Sequence, residues 1–284
     1  MDLYQLKSEP ACHQPVMLIA LESFVDAGNV RASVAETLRE QLDFKIVADF
    51  DMDLLIDHRS HRPILTINDG VMTNFEWPSI QLLHAIDQLG NHVLLLDGPE
   101  PDLVWHQFIN QVMTLATRFA ARSIIGIGSF PGPVPHTRPT EVATTTTDSS
   151  LARPVAYLPD ELEVPSSIHA AIEWSAQDYG IPALGLWAPV PQYAGVQPYP
   201  SAAAALLRRI SELTDITVDL SELDEAGERA VRRIDAAVAA NPQHKQIVDA
   251  LEKHIESMEA SRAHDLPSGD DLAAELQRFL DDQE

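Results

Sequence analysis

Short apolar runs alternate with amphipathic segments over the first two thirds of this chain. The runs are rich in branched side chains and are bounded by turn residues, which is typical of strands buried in a sheet. Strands are predicted at 16–21, 44–50, 63–67, 92–98, 123–128 and 181–188, with further extended segments at 141–147 and 154–158. The unbroken apolar run at 92–98 predicts a central parallel strand.

Amphipathic segments between these runs predict helices that pack on the sheet. Apolar residues recur at intervals of four from Val30 to Leu42 and form one face. Further helices are predicted near 78–89, 100–121 and 167–179. The alternation predicts an α/β fold with a mixed, mainly parallel sheet flanked by helices, in which ligands bind beyond the carboxyl ends of strands. Gly98 and Gly128 mark two such ends.

Helical periodicity takes over from Ser201 onward. Helices are predicted at about 201–214, 222–240, 244–262 and 269–282. Acidic residues outnumber basic residues in this part, so its apolar stripes are flanked by solvated acidic faces. The chain is therefore divided into an α/β core domain at 1–200 and a C-terminal acidic helical region at 201–284. This extension is expected to pack on the core or on a neighbouring subunit.

A stiff loop follows the strand at 123–128. Gly128 and Gly132 permit positive φ, whereas the prolines at 131, 133, 135 and 139 fix φ and lack amide donors, so no helix or central strand is expected to continue there. A stiff loop loses little entropy when its side chains bind something. The candidate binding residues on it are Gly128, Ser129, His136, Thr137, Arg138 and Glu141.

A second proline-rich loop, at 189–195, follows the last predicted strand. It carries Gln192 and Tyr193 at its tip. Because both loops follow buried strands, they are expected to lie on the same rim of the sheet. Gln192 and Tyr193 are therefore a second set of candidate binding residues.

Two interpretations of the polar loop residues stay open. His136 and Arg138 with Glu141 could form an anion site or an acid–base pair, since imidazole titrates near neutrality and guanidinium grips carboxylate or phosphate. Alternatively, these side chains brace the loop by hydrogen-bonding its carbonyls. The preceding Gly126-Ile127-Gly128 is a weak phosphate-loop signal, because it lacks the third glycine of a dinucleotide fingerprint and the lysine of a P-loop.

Charge and cysteine content narrow the function classes. With 43 acidic and 19 basic residues the net charge is −24, which repels nucleic acid and anionic membranes. The single cysteine, Cys12, is taken to exclude both an internal disulfide and any cysteine-based zinc site within a single chain. The acids at 49, 51, 53 and 57 do not fit a calcium loop. We expect no metal and no cofactor, and a soluble protein of the reducing cytoplasm, because neither a signal peptide nor a membrane-spanning run is present.

Three segments resemble the actinobacterial branch of the proteasome assembly chaperone family. They are Gly98-Pro99-Glu100-Pro101-Asp102 with Trp105, Val134-Pro135-His136-Thr137-Arg138-Pro139, and the loop from Pro189 to Tyr199, and the resemblance covers roughly residues 15–215. It implies a fold similar to the purine nucleoside phosphorylase and peptidyl-tRNA hydrolase group, with an added helical segment and no established catalytic residues. It also implies protein partners, since eukaryotic members assist proteasome ring assembly and archaeal relatives form homo-oligomers.

Two functional hypotheses follow. The first is a non-enzymatic, self-associating assembly factor whose partners are itself and proteasome subunits. The sequence departs from the family where some relatives dock by a hydrophobic-tyrosine-any terminus, because it ends Leu280-Asp281-Asp282-Gln283-Glu284. The second hypothesis is a phosphorylase- or hydrolase-like enzyme that binds phosphate or a nucleoside at the 128–138 loop, with Arg138 gripping the anion and His136 as acid or base.

Overall fold

The computed structural model describes residues 2–152, 155, 158, 161–194 and 198–265, and a large mixed sheet forms its centre. The strands are β1 (Tyr4–Leu6), β2 (Val16–Leu21), β3 (Lys45–Phe50), β4 (Ile64–Asn68), β5 (Val71–Glu76), β6 (Gln81–Ile86), β7 (His92–Gly98), β8 (Ser123–Gly132), β9 (Ala143–Thr146) and β10 (Ala183–Pro191). Eight of them form the main sheet in the order β1-β3-β6-β7-β2-β8-β10-β9, while β4 and β5 form a separate hairpin.

The centre of the main sheet is parallel. Strands β7, β2, β8 and β10 run side by side in one direction, and the pairings outside this group are antiparallel. Helices cover both faces of the sheet. The predicted fold class, a mixed α/β sheet flanked by helices, is therefore confirmed.

Seven helices surround or extend the sheet within the described residues. They are α1 (Val30–Gln41), α2 (Met52–Leu55), α3 (Trp105–Arg118), α4 (Ile168–Ala176), α5 (Pro200–Thr214), α6 (Ser221–Ala239) and α7 (Pro242–Asp265). One face of the sheet packs on α3 and α4 through side chains such as Phe108 and Ile172, and the other packs on α1 and α5 through Leu38 and Leu206. Strands covered on both faces explain the continuous apolar runs. None of the helices described is long and apolar enough to cross a membrane.

The helix predicted near 78–89 is wrong, because Gln81–Ile86 is the strand β6. This strand joins β3 to β7 inside the sheet, and Leu82, Leu83 and Ala85 are buried on its two faces. A short apolar run buried on both sides has no clear period, so its sequence fits either element. The helix predicted from about residue 100 begins only at Trp105.

The predicted end of the strand at Gly128 is also wrong, although its continuation is paired on one side only and is not a central strand. Strand β8 extends to Gly132 and stays paired with β10 up to Pro191. The neighbour β2 pairs with β8 only as far as Gly126, and β9 pairs with β10 only as far as Trp187. Each extension therefore has one open side, where a missing proline N–H costs no ladder hydrogen bond.

The C-terminal region contains both core and peripheral helices. The helices predicted at 201–214, 222–240 and 244–262 are confirmed as α5, α6 and α7. Helix α5 buries Ala202, Leu206 and Ile210 against the sheet, so part of the predicted extension belongs to the packed core. The helix predicted at 269–282 and most of the strand predicted at 154–158 lie outside the described residues.

Glu173 of α4 is a buried carboxyl beside two glycines of the sheet. It is 6% exposed, and a Cβ added to Gly126 of β8 or to Gly185 of β10 would lie 2.0 Å from its Oε1 or 2.6 Å from its Oε2. Glycine at both positions makes room for this side chain. Oε1 has no hydrogen-bond partner among the described residues, and burial raises the pKa of Glu173 to about 8.

This raised pKa makes stability depend on pH. The unfolded chain releases the proton near pH 4.5, whereas the folded protein keeps it up to about pH 8. The contribution of Glu173 to the free energy of unfolding is therefore fully present below about pH 4.5 and is lost as the pH rises to about 8. Relative to Glu173→Gln, the wild type is expected to lose up to about 1.4 kcal/mol of unfolding free energy per pH unit between pH 5 and pH 8. Urea denaturation at several pH values measures this loss.

The control is Glu36→Gln, which makes the same change at an exposed position of α1. Its stability curve should follow that of the wild type across the same range. Parallel curves for the wild type and Glu173→Gln would show that Glu173 carries no raised pKa.

Candidate functional site

The two proline-rich loops lie together at one rim of the sheet. Strands β8 and β10 are parallel and paired from Ile124 and Ala183 to Gly132 and Pro191, so their following loops leave the sheet side by side. The backbone N–H of His136 donates to the Tyr193 hydroxyl at 2.7 Å. The expected common rim is therefore present, and it joins His136 of the first loop to Tyr193 of the second.

His136 has side-chain partners at both ring nitrogens. Its side chain is buried, with Nδ1 at 2.7 Å from the Tyr193 hydroxyl and Nε2 at 3.0 Å from Oδ1 of Asp235 on α6. In the tautomer with a proton on Nε2, the ring donates to Asp235 and its Nδ1 accepts from Tyr193. The histidine thus links both loops to α6. A substrate could reach either nitrogen only by displacing one of these partners.

Arg138 and Thr137 hold the loop against α7. The Arg138 Nε lies 2.6 Å from Oε2 of Glu252, and its Nη2 lies 3.3 Å from Oε1 of Glu256. The Thr137 hydroxyl also donates to Glu252. Hydrogen bonds from Thr137 and Arg138 lower the pKa of Glu252, which keeps this carboxylate ionised. We call these contacts the α7 clasp. The carboxylates of Glu252 and Glu256 therefore pair with the Arg138 guanidinium within the chain.

The glycines before the loop serve packing. A Cβ at Gly128 would lie 2.5 Å from the Trp187 ring, so glycine here lets the indole of β10 lie flat on β8. The Trp187 Nε1 donates to the Thr145 hydroxyl at 3.0 Å. Gly126 makes room for Glu173, as described above. The resemblance of Gly126-Ile127-Gly128 to a phosphate loop therefore has a structural explanation.

A polar network fills the carboxyl ends of β2, β7 and β8, where α/β folds commonly bind ligands. Ser129 at this end lies 2.9 Å from Oδ1 of Asp26. Asp97 accepts from Arg39 at 2.8 Å and lies 3.5 Å from Nη1 of Arg31. Arg31 also donates to Asp26 through its backbone N–H at 3.0 Å. The two arginines and two aspartates balance in charge.

The sequence interpretation missed this network because its members come from distant segments. The ends of the strands were marked by Gly98 and Gly128, but nothing in the local pattern pairs Arg31 or Arg39 with Asp97. The same is true of Asp235, which reaches His136 from α6. The sequence signal that could have indicated this network is a basic residue on the helix that follows a strand, such as Arg31 or Arg39 on α1, and this signal is weak.

A large cleft lies between the first loop and helices α5 and α6. Its volume is about 1080 Å³, and Glu141, His136 and Arg138 line it together with Tyr199. The arginines contributed by the helices have acidic neighbours, with Arg209 at 2.8 Å from Glu212 and Arg232 at 3.3 Å from Glu228; Arg208 pairs with Asp224. Gln192 is exposed at the start of a 3-10 turn near the rim. The charged walls therefore suit a polar protein segment better than a bare anion.

The comparisons with known proteins agree with this fold. A protein of unknown function from Mycobacterium tuberculosis, Rv2714, is 33% identical, with a TM-score of 0.83, and the match covers 92% of this chain and 91% of that one. A Corynebacterium glutamicum protein of unknown function is 30% identical, with a TM-score of 0.84 and coverage of 90% and 97%. The M. tuberculosis proteasome-assembly chaperone homologue Rv2125 is 26% identical, with a TM-score of 0.75 and coverage of 82% and 99%.

A search of curated proteins found no match. The model of the PAC2 family, however, matches residues 20–238, which is well over half of the chain. This range contains the main sheet from β3 onward, both loops and all but the last residue of α6. The predicted resemblance to proteasome assembly chaperones is confirmed, and the chain belongs to the PAC2 family.

Proposed function

We propose that this protein is a non-enzymatic, self-associating assembly factor whose further partners are proteasome subunits. The observation that carries the proposal is the β4–β5 hairpin, which extends apolar side chains into solvent outside the main sheet. The family membership supports a protein partner, because a relative that is 26% identical is described as a proteasome-assembly chaperone homologue.

The hairpin has one apolar face and one mainly polar face. Leu65 pairs with Phe75 and Ile67 pairs with Met72, so these four side chains share a face. Met72 is 73% exposed, Ile67 56% and Phe75 50%. Thr66, opposite Asn74, lies on the other face. A two-stranded hairpin is marginally stable by itself in water, so an uncovered apolar face favours a partner that covers it.

The proposed occupant of the apolar face is a second copy of this chain. The whole chain carries −24, but the acids of the hairpin, Asp69 and Glu76, lie in its turn and on its polar face, so the apolar face itself carries no charge. Two copies repel each other over most of their surface and can approach most easily where charge is low. A pair related by two-fold symmetry would place the same apolar face against itself, as an isologous interface requires.

The polar clusters favour binding over catalysis. His136 and Arg138 are the groups that the enzyme hypothesis needs, and both have partners within the chain. A phosphate at the 128–138 loop would have to compete with Glu252 and Glu256 for the guanidinium. We therefore assign the rim formed by the two loops and the acidic helices to protein recognition, and we place the protein in the cytoplasm with its proposed partners.

The first test concerns self-association. Met72→Asp places a charge in the proposed interface and removes apolar contact of about 3 kcal/mol, so the dimer is expected to weaken about a hundredfold. Sedimentation equilibrium of the full chain measures this change. Thr66→Asp adds the same charge on the opposite face of the same hairpin and is expected to leave the dimer intact. A monomeric wild type, or equal weakening by both variants, would contradict the proposal.

The second test concerns the α7 clasp. Arg138→Ala removes the ion pairs to Glu252 and Glu256, and amides of α7 near these residues should exchange with solvent about fivefold faster, which corresponds to about 1 kcal/mol. Hydrogen exchange with mass spectrometry measures this rate. Arg229→Ala is the control, because its 3.5 Å pair with Glu225 lies within α6. Equal exchange in the two variants would mean that the clasp does not hold α7.

The third test concerns the proteasome. The immobilised wild type is expected to bind purified α or β subunits of an actinobacterial proteasome, and the double variant His136→Ala, Arg138→Ala is expected to lose most of this binding because the rim is no longer held. Arg229→Ala should bind like the wild type. If the wild type binds neither subunit, the proteasome is not its partner, whatever the outcome for self-association.

A further inference from the structure

Cys12, His84 and His92 form a compact cluster at the end of the sheet opposite the rim. They belong to the segment before β2, to β6 and to β7. One ligand atom from each, a sulphur and two ring nitrogens, all lie within 4.8 Å of one another. The sequence gives no metal motif here, because His84 lies 72 positions after Cys12. Only the folded chain brings the three together.

The two histidines are held on one face by strand pairing. His84 lies opposite Leu94 and His92 lies opposite Ile86, so the histidines are diagonal neighbours on the same side of the β6–β7 pair. Their Nε2 and Nδ1 atoms are 3.0 Å apart and share a hydrogen bond. Two nitrogens bound to one tetrahedral zinc ion lie about 3.3 Å apart, so a shift of a few tenths of an ångström would admit an ion.

The donor atoms match the preferences of zinc. One thiolate and two imidazoles are borderline-soft ligands, which Zn²⁺ binds in tetrahedral sites. His84 is buried while Cys12 and His92 are only partly buried, so a water molecule can supply the fourth ligand from the open side.

We propose that Cys12, His84 and His92 form a zinc site that ties the segment before β2 to the β6–β7 hairpin. A hydrogen bond accounts for the approach of the two histidines, and Cys12 packs against the apolar core beside them; a zinc ion would join all three ligand atoms. The proposal is independent of the hairpin contact and of the rim, because it involves neither. It also departs from the expectation, drawn from the sequence, that the protein binds no metal.

The test is a Zn²⁺ titration of the chelator-treated full chain against a chromogenic competitor. We expect one tight site per chain, a rise in melting temperature on binding, and at least a tenfold loss of affinity in Cys12→Ser and in His92→Gln. Co²⁺ in place of Zn²⁺ should give a thiolate-to-metal charge-transfer band that Cys12→Ser abolishes. Cys12 and His92 are only partly buried, so these variants are expected to fold, and circular dichroism checks that they do.

The matched control is His106→Gln, which removes an exposed histidine of α3 that lies outside the cluster. An acidic chain binds cations weakly at many surface positions, and this variant measures that background. Unchanged affinity in His106→Gln together with loss in the cluster variants supports the site. Equal affinity in all variants, or binding of Cu⁺ without Zn²⁺, would overturn it.

Discussion

The parallel pairing of β8 with β10 is the constraint on which the rest of the structure depends. It runs through nine residue pairs and carries both strands beyond their other neighbours. Because the two strands end together, their proline-rich loops leave side by side, and His136 can bond Tyr193. The same pairing places Gly126 and Gly185 beneath α4, where they accommodate Glu173. The register of this one strand pair thus determines where the two loops meet at the rim and where the buried Glu173 carboxyl fits.

The charged groups at the carboxyl ends of the strands and at the rim have partners within the chain. Ligands of α/β proteins commonly bind beyond the carboxyl ends of strands, and here that position contains an internal network of Asp26, Arg31, Asp97 and Ser129. At the rim, carboxylates from α6 and α7 meet the loop. The apolar face of the β4–β5 hairpin, in contrast, is exposed to solvent. Ion pairs within the chain at the rim, beside an uncovered apolar face, support the proposed protein partner.

Much of the fold could be predicted from the sequence, since most strands and helices follow a clear period. The miss at β6 has a physical cause, because a strand buried on both faces has the apolar pattern of a buried helix. The extension of β8 and β10 through prolines depended on which neighbours end first, and that is a property of the sheet rather than of either strand. Of the candidate site, the sequence identified the loop residues and their common rim but not their partners.

The sequence by itself determined the α/β class, the two stiff loops, the acidic helices and the family, because these depend on local patterns of apolar, proline and charged residues. Only the tertiary structure decided what those residues contact. Arg138 meets Glu252 across more than a hundred positions, and Cys12 meets His84 and His92 from three separate segments. Contacts between distant segments depend on strand order and register, which local sequence patterns do not specify.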